Sequence, residues 1–336
     1  MTRKLGFGYL YDFRNPPQWR RDPTELYAGI VDVAAWSETV GFAGAWVPEH
    51  HLADDGYMPA PNVALAAIAA RTKALRLGSG IALAPLYHPV RFAEECAVLD
   101  ILSGGRLEMA LAIGYRRREY AAFGAEFGKR GSRFDEFLHI VRALWAGETV
   151  DFAGKHYQVN GARLCPMSPR GQIPLYIGGF AEKALARVAK YADGYFGNEE
   201  VCDLYIEKVK AEGKDPAQAT VRIQGVFFTV AEDPEAAMEE LAPYYHYVNN
   251  TYGAWLNEDK ASGVDGAQLK PMDLDRFKRS GILKILTPEA AIAKFRAMQQ
   301  RVPVDHFMMS MPPGLPLARF VDYAQVFADK VIPAFR

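Results

Sequence analysis

Hydrophobic and polar residues follow two different periods along this chain, and the two alternate. Short runs of consecutive apolar residues end in glycine, histidine or tyrosine. Between them lie longer segments in which apolar residues recur at every third or fourth position. The short runs are typical of buried β-strands and the longer segments of amphipathic helices. Because the two patterns alternate along the chain, the sequence predicts an α/β protein built on a parallel sheet.

The number of strand and helix segments distinguishes an open sheet from a closed barrel. We predict strands at 5–10, 43–47, 75–83, 107–113, 173–177, 195–196, 221–230 and 306–311. We predict the main helices at 23–40, 62–71, 89–101, 132–145, 181–192 and 317–331. This tally approaches eight strand–helix units and favours a (β/α)8 TIM barrel over an open sheet. With no linker-like segment along the chain, we expect a single domain at 1–336.

Capping residues sharpen several of these helix boundaries. Asp22 is followed by Pro23 and Glu25, which is the pattern of an N-cap residue, a proline in the first turn and a capping box. The glycine pair at 104–105 is expected to end the third helix. Ser132 is expected to cap the helix that runs to Trp145.

Two segments depart from the strand–helix repeat. Residues 150–164 carry turn glycines and alternating apolar positions, which predict a β-hairpin excursion. Residues 240–285 fit the repeat worst, and we expect them to form a helical insertion after the seventh strand. Long insertions of this kind often cover an active site.

Composition excludes several classes of partner. The 39 basic and 40 acidic residues give a net charge of −1, so no basic field is available for nucleic acid or an anionic membrane. No apolar run approaches the roughly 20 residues that span a bilayer, and we expect no secretory signal. The three cysteines show no metal-binding spacing. A cytoplasmic protein with reduced thiols and a small-molecule partner is expected.

Histidines follow two of the predicted strands. His50 and His51 come directly after the second strand, beside Glu49, where the chemistry of an α/β barrel takes place. Histidine is the usual group for proton transfer near neutral pH, so both are candidate catalytic residues. Two loop histidines that satisfy backbone groups, or a metal site, remain open as alternatives. His88 precedes a proline and is explained equally well as a helix N-cap.

Small and basic residues at other strand ends are candidates for ligand binding. Gly178 and Gly179 join a strand to a helix start, which is a favourable place for a phosphate. Arg116 and the two arginines after it follow the fourth strand and would supply countercharge, although at least two of the three are expected to be solvated. The small residues around Gly80 fit either a flat ligand or ordinary barrel packing.

Several motifs together resemble a known family. They are PEHHLADDGYMPAP, HPVRFAEECAVLDILSGGRLEMALAIGY, REYAAFG, FDEFLHIVRALWAGETVDFAGKHY, PLYIGG and YADGYFGN. In this order and spacing they resemble the bacterial luciferase-like flavin-dependent monooxygenases. The resemblance is strongest over residues 1–200 and implies a (β/α)8 barrel that forms a homodimer through its second and third helices. It also implies reduced FMN as cosubstrate, supplied by a separate NAD(P)H:flavin reductase.

The resemblance also implies roles for individual residues. It makes His50 the catalytic acid/base, with His51 its neighbour in the motif. It places a non-prolyl cis peptide at Gly80–Ile81 beneath the flavin ring. It assigns the flavin phosphate to the segment Gly178–Gly179–Phe180 and one wall of the site to the segment Gly114–Tyr115–Arg116.

One departure from the family pattern concerns the phosphate. Luciferase has a cysteine and an arginine where this chain has Ala112 and Ile113. Phosphate binding by that arginine therefore does not transfer, and Arg116 or Arg117 is the candidate substitute.

The resemblance implies a monooxygenase that uses reduced FMN and O2, and oxygenates a small apolar substrate through a C4a-(hydro)peroxyflavin. A related group instead uses the deazaflavin F420 to transfer hydride, and this is the first alternative. The others are a flavin-binding protein without catalysis and a metal-dependent barrel hydrolase.

Overall fold

A closed parallel barrel forms the centre of the molecule. The computed structural model describes residues 4–258 and 269–336. Within these ranges eight parallel strands close in the order β1-β12-β9-β8-β7-β4-β3-β2. They are β1 (Gly6–Leu10), β2 (Gly44–Val47), β3 (Arg76–Leu83), β4 (Leu107–Ala112), β7 (Leu175–Gly178), β8 (Gly194–Gly197), β9 (Val221–Gly225) and β12 (Val304–Ser310). The predicted (β/α)8 barrel is therefore confirmed.

Helices surround the barrel and connect its strands. They are α1 (Pro23–Thr39), α2 (Pro61–Arg71), α3 (Pro89–Ser103), α4 (Arg117–Ala122), α5 (Arg130–Trp145), α6 (Glu182–Tyr191), α7 (Cys202–Ala211), α8 (Pro234–Glu258), α9 (Leu274–Arg279), α10 (Pro288–Arg301) and α11 (Leu317–Lys330). None of the helices in the described ranges is both long and apolar enough to cross a membrane.

Two of the three predicted capping signals mark helix boundaries in the structure. The Asp22 carboxylate accepts the backbone N–H of Glu25 at 3.1 Å, so α1 begins where the sequence predicts. Gly104 ends α3 in the left-handed conformation, with φ of 68°, which glycine adopts without steric cost. The prediction for Ser132 is wrong, because α5 already begins at Arg130. The Ser132 hydroxyl instead contacts His156 Nε2 at 2.8 Å and ties the helix to the hairpin.

The two predicted departures from the repeat are both present. Strands β5 (Val150–Ala153) and β6 (Gln158–Ala162) pair as an antiparallel hairpin. Helices α8 and α9 lie between the seventh and eighth barrel strands, as predicted for an insertion there. The insertion predicted at 240–285 begins earlier, at Pro234, and part of it (259–268) lies outside the described residues.

The single strand predicted at 221–230 is two strands. β9 ends at Gly225, and β10 (Phe228–Val230) leaves the barrel to pair in parallel with β11 (Lys284–Leu286). The chain bends at Gly225, which has no side chain. An added Cβ there would meet the Phe307 ring at 2.5 Å, so a larger residue would not fit where β9 ends. The three-residue strand β11 carries too little pattern to be recognised from sequence.

Large side chains fill the barrel interior. Trp46, Tyr176, Phe196 and Met308 form one buried cluster with Leu10 and Ala110, and Ile81 packs against it. Gly44 leaves room for the indole, because an added Cβ would meet Trp46 at 2.2 Å. The barrel is therefore a packed core rather than a pore, and ligands are confined to its mouth.

The amino-terminal end of the barrel interior is polar. Arg222 forms an ion pair with Glu108 and lies over the Tyr176 ring at 4.0 Å. His306 is buried beside Arg222 and Asp305, and burial lowers its pKa. This cluster lies at the opposite end of the strands from the histidine loop.

Candidate active site

The residues after β2 form a buried loop at the carboxyl end of the barrel. The backbone N–H of His50 donates to the oxygen of Met58 at 3.0 Å, which folds the loop back on itself. His50 and His51 are 7 % and 8 % exposed, so both rings lie inside the protein rather than on its surface. Loops at this end of a (β/α)8 barrel carry the catalytic groups.

His50 pairs with a buried carboxylate from α4. Its Nδ1 lies 2.9 Å from Glu119 Oε1, and the Glu119 side chain is fully buried. The same oxygen accepts the backbone N–H of His51 at 2.9 Å. A carboxylate at Nδ1 holds the proton on that nitrogen and leaves Nε2 as the nitrogen able to accept a proton. His50 thus has the arrangement of an oriented acid–base group.

Arg116 completes this buried pair. Burial by itself raises the pKa of Glu119, but the hydrogen bonds from His50 and from His51 N–H, together with the Arg116 charge, outweigh it and hold that pKa below its ordinary value. Arg116 Nη1 donates to the backbone oxygen of His51 at 3.0 Å and lies 3.4 Å from Glu119 Oε1. Glu119 is therefore ionised at neutral pH.

His51 has a different environment from His50. Its Nε2 lies 2.8 Å from Glu49 Oε1. Glu49 also accepts the backbone N–H of Leu83 at 2.7 Å and the hydroxyl of Tyr87 at 2.8 Å. Because Glu49 ties His51 to the end of β3, His51 has the contacts of a residue that fixes the loop. Its predicted catalytic role stays a prediction.

Aromatic side chains surround His50. The His50 ring centre lies 4.9 Å from that of Tyr57, 5.7 Å from Tyr115, 5.9 Å from Tyr252 and 5.0 Å from Trp255. Tyr252 and Trp255 both belong to α8, so the insertion contacts the histidine loop directly. Aromatic surfaces of this kind suit a planar or apolar ligand.

A second set of polar contacts joins α8 to the loop. Arg14 binds Asp12 through two guanidinium nitrogens and lies over the Tyr57 ring at 4.2 Å. Asp55 accepts the hydroxyl of Tyr247 at 2.8 Å, and burial raises the pKa of Asp55. The hydroxyls of Tyr57 and Tyr252 lie 2.6 Å apart. Three points of contact therefore hold α8 over the mouth: Tyr247, Tyr252 and Trp255.

The end of β3 forms the floor of the mouth. The peptide bond between Gly80 and Ile81 is cis. An added Cβ at Gly178 would meet Ile81 Cδ1 at 2.2 Å, so the structure brings Ile81 and Gly178 together across the barrel. An added Cβ at Gly80 would meet Leu10 Cδ1 at 2.8 Å. Glycine at 80 and 178 keeps this floor flat.

The remaining predicted ligand-binding residues lie on two segments of the rim. Gly114, with φ of 67°, turns the chain so that Tyr115 faces His50. Gly179 has φ of 145° and Phe180 is exposed, directly before α6. Arg116 is committed to Glu119, to the His51 oxygen and to Trp255. Binding of a phosphate by Arg116 or by the Gly178–Phe180 segment stays a prediction.

Sequence reasoning missed several residues of this site: Glu119, Arg14, Asp55, Tyr57, Tyr252 and Trp255. Two of the quoted motifs were the available signals: REYAAFG contains Glu119, and PEHHLADDGYMPAP contains Asp55 and Tyr57. In the described part of the chain, His, Cys, Asp and Glu side chains nowhere gather in threes to suit a metal ion.

Fold and site together define an α/β-barrel enzyme with an oriented histidine at its mouth. The sequence matches the family model of luciferase-like monooxygenases over residues 6–306. The chain therefore belongs to the luciferase-like monooxygenase family.

The similar proteins include users of two different cofactors. The chain is 30% identical over 231 residues to the F420-dependent glucose-6-phosphate dehydrogenase of Amycolatopsis mediterranei (strain U-32), covering 62% of this chain and 67% of that protein. It is 25% identical over 250 residues to the oxygenase component of the flavin-dependent trigonelline monooxygenase of Acinetobacter baylyi, covering 70% and 68%. The monooxygenase RslO1 from Streptomyces bottropensis superposes with a TM-score of 0.78 at 23% identity, covering 98% and 100% of the two chains.

Proposed function

We propose that the protein is a flavin-dependent monooxygenase that uses reduced FMN and O2 to oxygenate a small apolar organic substrate. The observation that carries this proposal is the buried His50–Glu119 pair inside an aromatic enclosure that α8 covers. Activated oxygen on a flavin decays in contact with water, so its use requires an enclosed site with a positioned proton donor and acceptor. Both requirements are met around His50.

The residues at the mouth fit a planar cofactor. Glycines at 80 and 178 keep the floor flat, and Ile81 packs against Gly178. Buried polar atoms near His50 have no hydrogen-bond partner among the described residues, including Glu119 Oε2 and Tyr115 Oη. Buried polar groups are normally satisfied, so a ligand with polar edges is the natural partner. Ile81 and Gly178 would support the ring, while Gly114 and Tyr115 would form a wall.

Different residues of the chain have different roles around the cofactor. When bound, reduced FMN would supply the two electrons by which one oxygen atom of O2 enters the substrate and the other leaves as water. His50 accepts or returns a proton at Nε2, and Glu119 keeps the opposite nitrogen protonated. Tyr252 and Trp255 exclude water from above. His51 and Glu49 fix the loop that carries His50.

An F420-dependent oxidoreductase that transfers hydride is the second candidate. The similarity to F420-dependent glucose-6-phosphate dehydrogenases favours it. An oriented histidine also suits proton transfer coupled to hydride transfer. The two candidates therefore share the site and differ in cofactor.

Separate anaerobic titrations with reduced FMN and reduced F420, followed by addition of O2, test the proposal. Tight binding of reduced FMN and rapid oxygen consumption by the complex support it. If the protein binds reduced F420 preferentially and the complex does not react with oxygen, the monooxygenase proposal is wrong and the second candidate is favoured.

We also propose that a separate NAD(P)H:flavin reductase supplies the reduced FMN in the cytoplasm.

The protein is further proposed to work as a homodimer. Val63 of α2 and Val98 and Leu102 of the neighbouring helix α3 are exposed apolar residues, 71%, 45% and 63% accessible. Such a patch is typical of an interface. Light scattering on a Leu102→Glu variant tests this interface. A mass equal to that of the wild type would exclude this face as the dimer interface.

A further inference from the structure

A row of tyrosine and tryptophan rings begins beside His50. The ring centre of Trp255 lies 5.0 Å from that of His50. Trp255 stacks on Tyr57, with ring centres 6.1 Å apart and an angle of 25° between the planes. The hydroxyls of Tyr57 and Tyr252 lie 2.6 Å apart. The inner end of the row is therefore a set of three oxidisable side chains in mutual contact at the site.

The outer end of the row reaches the surface. The guanidinium carbon of Arg14 lies 4.2 Å from the centre of the Tyr57 ring and 6.0 Å from that of Tyr247, so Arg14 bridges the two parts. The Trp19 ring centre lies 6.1 Å from that of Tyr247 and 4.5 Å from that of Tyr244. Trp19 and Tyr244 are half-buried, and the row thus connects the enclosed site to solvent. We call these six residues the aromatic row: Trp255, Tyr57, Tyr252, Tyr247, Trp19 and Tyr244.

Packing alone does not require tyrosine and tryptophan in these positions. Where β1 packs against α10 and α11, the protein uses a cluster of four phenylalanines: Phe7, Phe295, Phe327 and Phe335. Phenylalanine fills space equally well, but it resists oxidation, whereas tyrosine and tryptophan lose one electron readily. The residue types of the aromatic row therefore suit electron transfer as well as packing.

Charged groups make the two ends of the row unequal. The guanidinium carbon of Arg116 lies 3.9 Å from the centre of the Trp255 indole ring, and a cation at a ring disfavours the loss of an electron from it. At the other end, the Tyr247 hydroxyl donates to Asp55 at 2.8 Å. This carboxylate can take the phenolic proton when the ring is oxidised. An electron vacancy formed beside His50 is therefore more stable at Tyr247 than at Trp255.

The cation between the two parts of the row is matched by carboxylates. Arg14 Nε lies 3.0 Å from Asp12 Oδ1 and 4.0 Å from Asp55 Oδ2. Two ionised carboxylates against one guanidinium leave a negative net charge, which stabilises an oxidised ring nearby. Arg14 thus does not prevent an electron vacancy from passing between Tyr57 and Tyr247.

We propose that the aromatic row conducts one-electron oxidation from the site to the surface and so protects the residues around His50 from oxidative damage. The oxidant is an oxygen-centred radical of the hydroxyl type. It takes one electron from Trp255 and one proton from solvent, and becomes water. Each ring of the row is restored by an electron from the next ring outward, until Trp19 has lost one electron and released its indole proton. A dissolved thiol then returns one electron and one proton to Trp19.

This inference goes beyond the proposed function, and its test uses no oxygen. Illuminated, oxidised FMN takes one electron from a nearby tryptophan or tyrosine, so the bound flavin can serve as the oxidant. The protein is kept in excess over FMN without air, and the spin trap 2-methyl-2-nitrosopropane is added. Peptide mass spectrometry then locates the adducts, counted per bound flavin. We expect adducts on Trp19 or Tyr244 and none on Trp36 of α1, which is also half-buried but lies outside the row.

Variants of one residue separate conduction along the row from a change in the lid. Tyr247→Phe should lose the adducts on Trp19 and Tyr244, because phenylalanine does not carry the vacancy. Tyr247→Trp restores an oxidisable ring and should bring the adducts back. Trp36→Phe is the matched control and should leave the adducts unchanged.

The experiment is repeated with oxidised F420, since an excited deazaflavin also accepts an electron. Adducts with F420 alone would support the row and contradict the proposed use of FMN. Three results would overturn the inference. They are equal labelling of Trp36 and Trp19 in the wild type, undiminished adducts in Tyr247→Phe, and no adduct on the row with either cofactor, including a failure of both to bind.

Discussion

The guanidinium carbon of Arg116 lies 3.9 Å from the centre of the Trp255 indole ring. The same guanidinium donates to the backbone oxygen of His51 and approaches Glu119. Arg116 therefore links the helix that covers the site to the carboxylate that pairs with His50. Arg116 thus couples the position of α8 to the His50–Glu119 pair, beside the direct ring contacts of Tyr252 and Trp255 with His50.

Replacing Trp255 with a small residue should open the aromatic enclosure around His50. Trp255→Ala removes a cation–π contact of about 1–2 kcal/mol and exposes the pair to water. We expect the release of hydrogen peroxide during oxidation of bound reduced FMN to accelerate about tenfold, measured with a peroxidase-coupled dye. Trp255→Phe should keep most of the wild-type behaviour, and Trp36→Phe on α1 serves as a control. Equal peroxide release in wild type and Trp255→Ala would show that α8 does not shield the site.

Removing the charge of the Glu119 carboxylate should leave the His50 ring without a fixed tautomer. In Glu119→Gln the amide can donate as well as accept, so the proton on His50 is no longer fixed at Nδ1. We expect product formation to fall by about 100-fold or more, the usual contribution of a positioned acid–base group. The 15N chemical shifts of the His50 ring should change from one tautomer to a mixture. Glu126→Gln, on the exposed surface nearby, should change neither quantity, and a single Nδ1–H tautomer in Glu119→Gln would contradict this role.

The two histidines of the loop should have separable effects. His50→Ala should lose oxygenation and keep most of the affinity for FMN, because in the proposed function His50 handles a proton rather than the cofactor. His51→Ala should lower the melting temperature more than His50→Ala does, since His51 holds Glu49 at the end of β3. Thermal unfolding and flavin titration of both variants measure these effects. Equal loss of oxygenation and flavin affinity in His50→Ala would mean that the residue binds rather than reacts.

Adding one carbon at the floor should weaken flavin binding. The Cβ of Gly178→Ala would meet Ile81 Cδ1 at 2.2 Å, which forces Ile81 to move. Such overpacking costs about 1–3 kcal/mol, and we expect FMN affinity to fall by about tenfold or more. Gly128→Ala is the matched control, because no atom lies within 4 Å of its added Cβ. A flavin affinity equal to that of the control would place the ring elsewhere.

Mild acid should destabilise the barrel through His306. Burial lowers the pKa of His306, the nearby Asp305 partly opposes this, and the Arg222 charge adds to the lowering. Below the ordinary value of about 6.5, the unfolded chain takes up a proton that the folded chain does not. The free energy of unfolding should therefore fall as the pH drops from about 7 towards 5. Urea titrations of His306→Gln should show a flatter dependence, and His139→Gln, on an exposed face, should match the wild type.

The sequence predicted the fold well, because the signals for its strands and helices are local. A run of buried residues ends at His50, and the glycine at 80 lies within its own strand, so each can be recognised from its neighbours. Glu119 is different, since it lies 69 positions after His50 and meets it only through space. Tyr252 and Trp255 were missed for a similar reason. The sequence predicts an insertion that covers the active site, but its pattern does not show which residues of α8 contact His50.

The most direct test of the account measures oxygen consumption and hydrogen peroxide release together, in a single turnover of the protein with bound reduced FMN. We predict that the wild type consumes oxygen first and releases peroxide after a clear delay. The delay should disappear in His50→Ala. Simultaneous oxygen consumption and peroxide release by the wild type, or no oxygen consumption at all, would contradict a monooxygenase built on the His50–Glu119 pair.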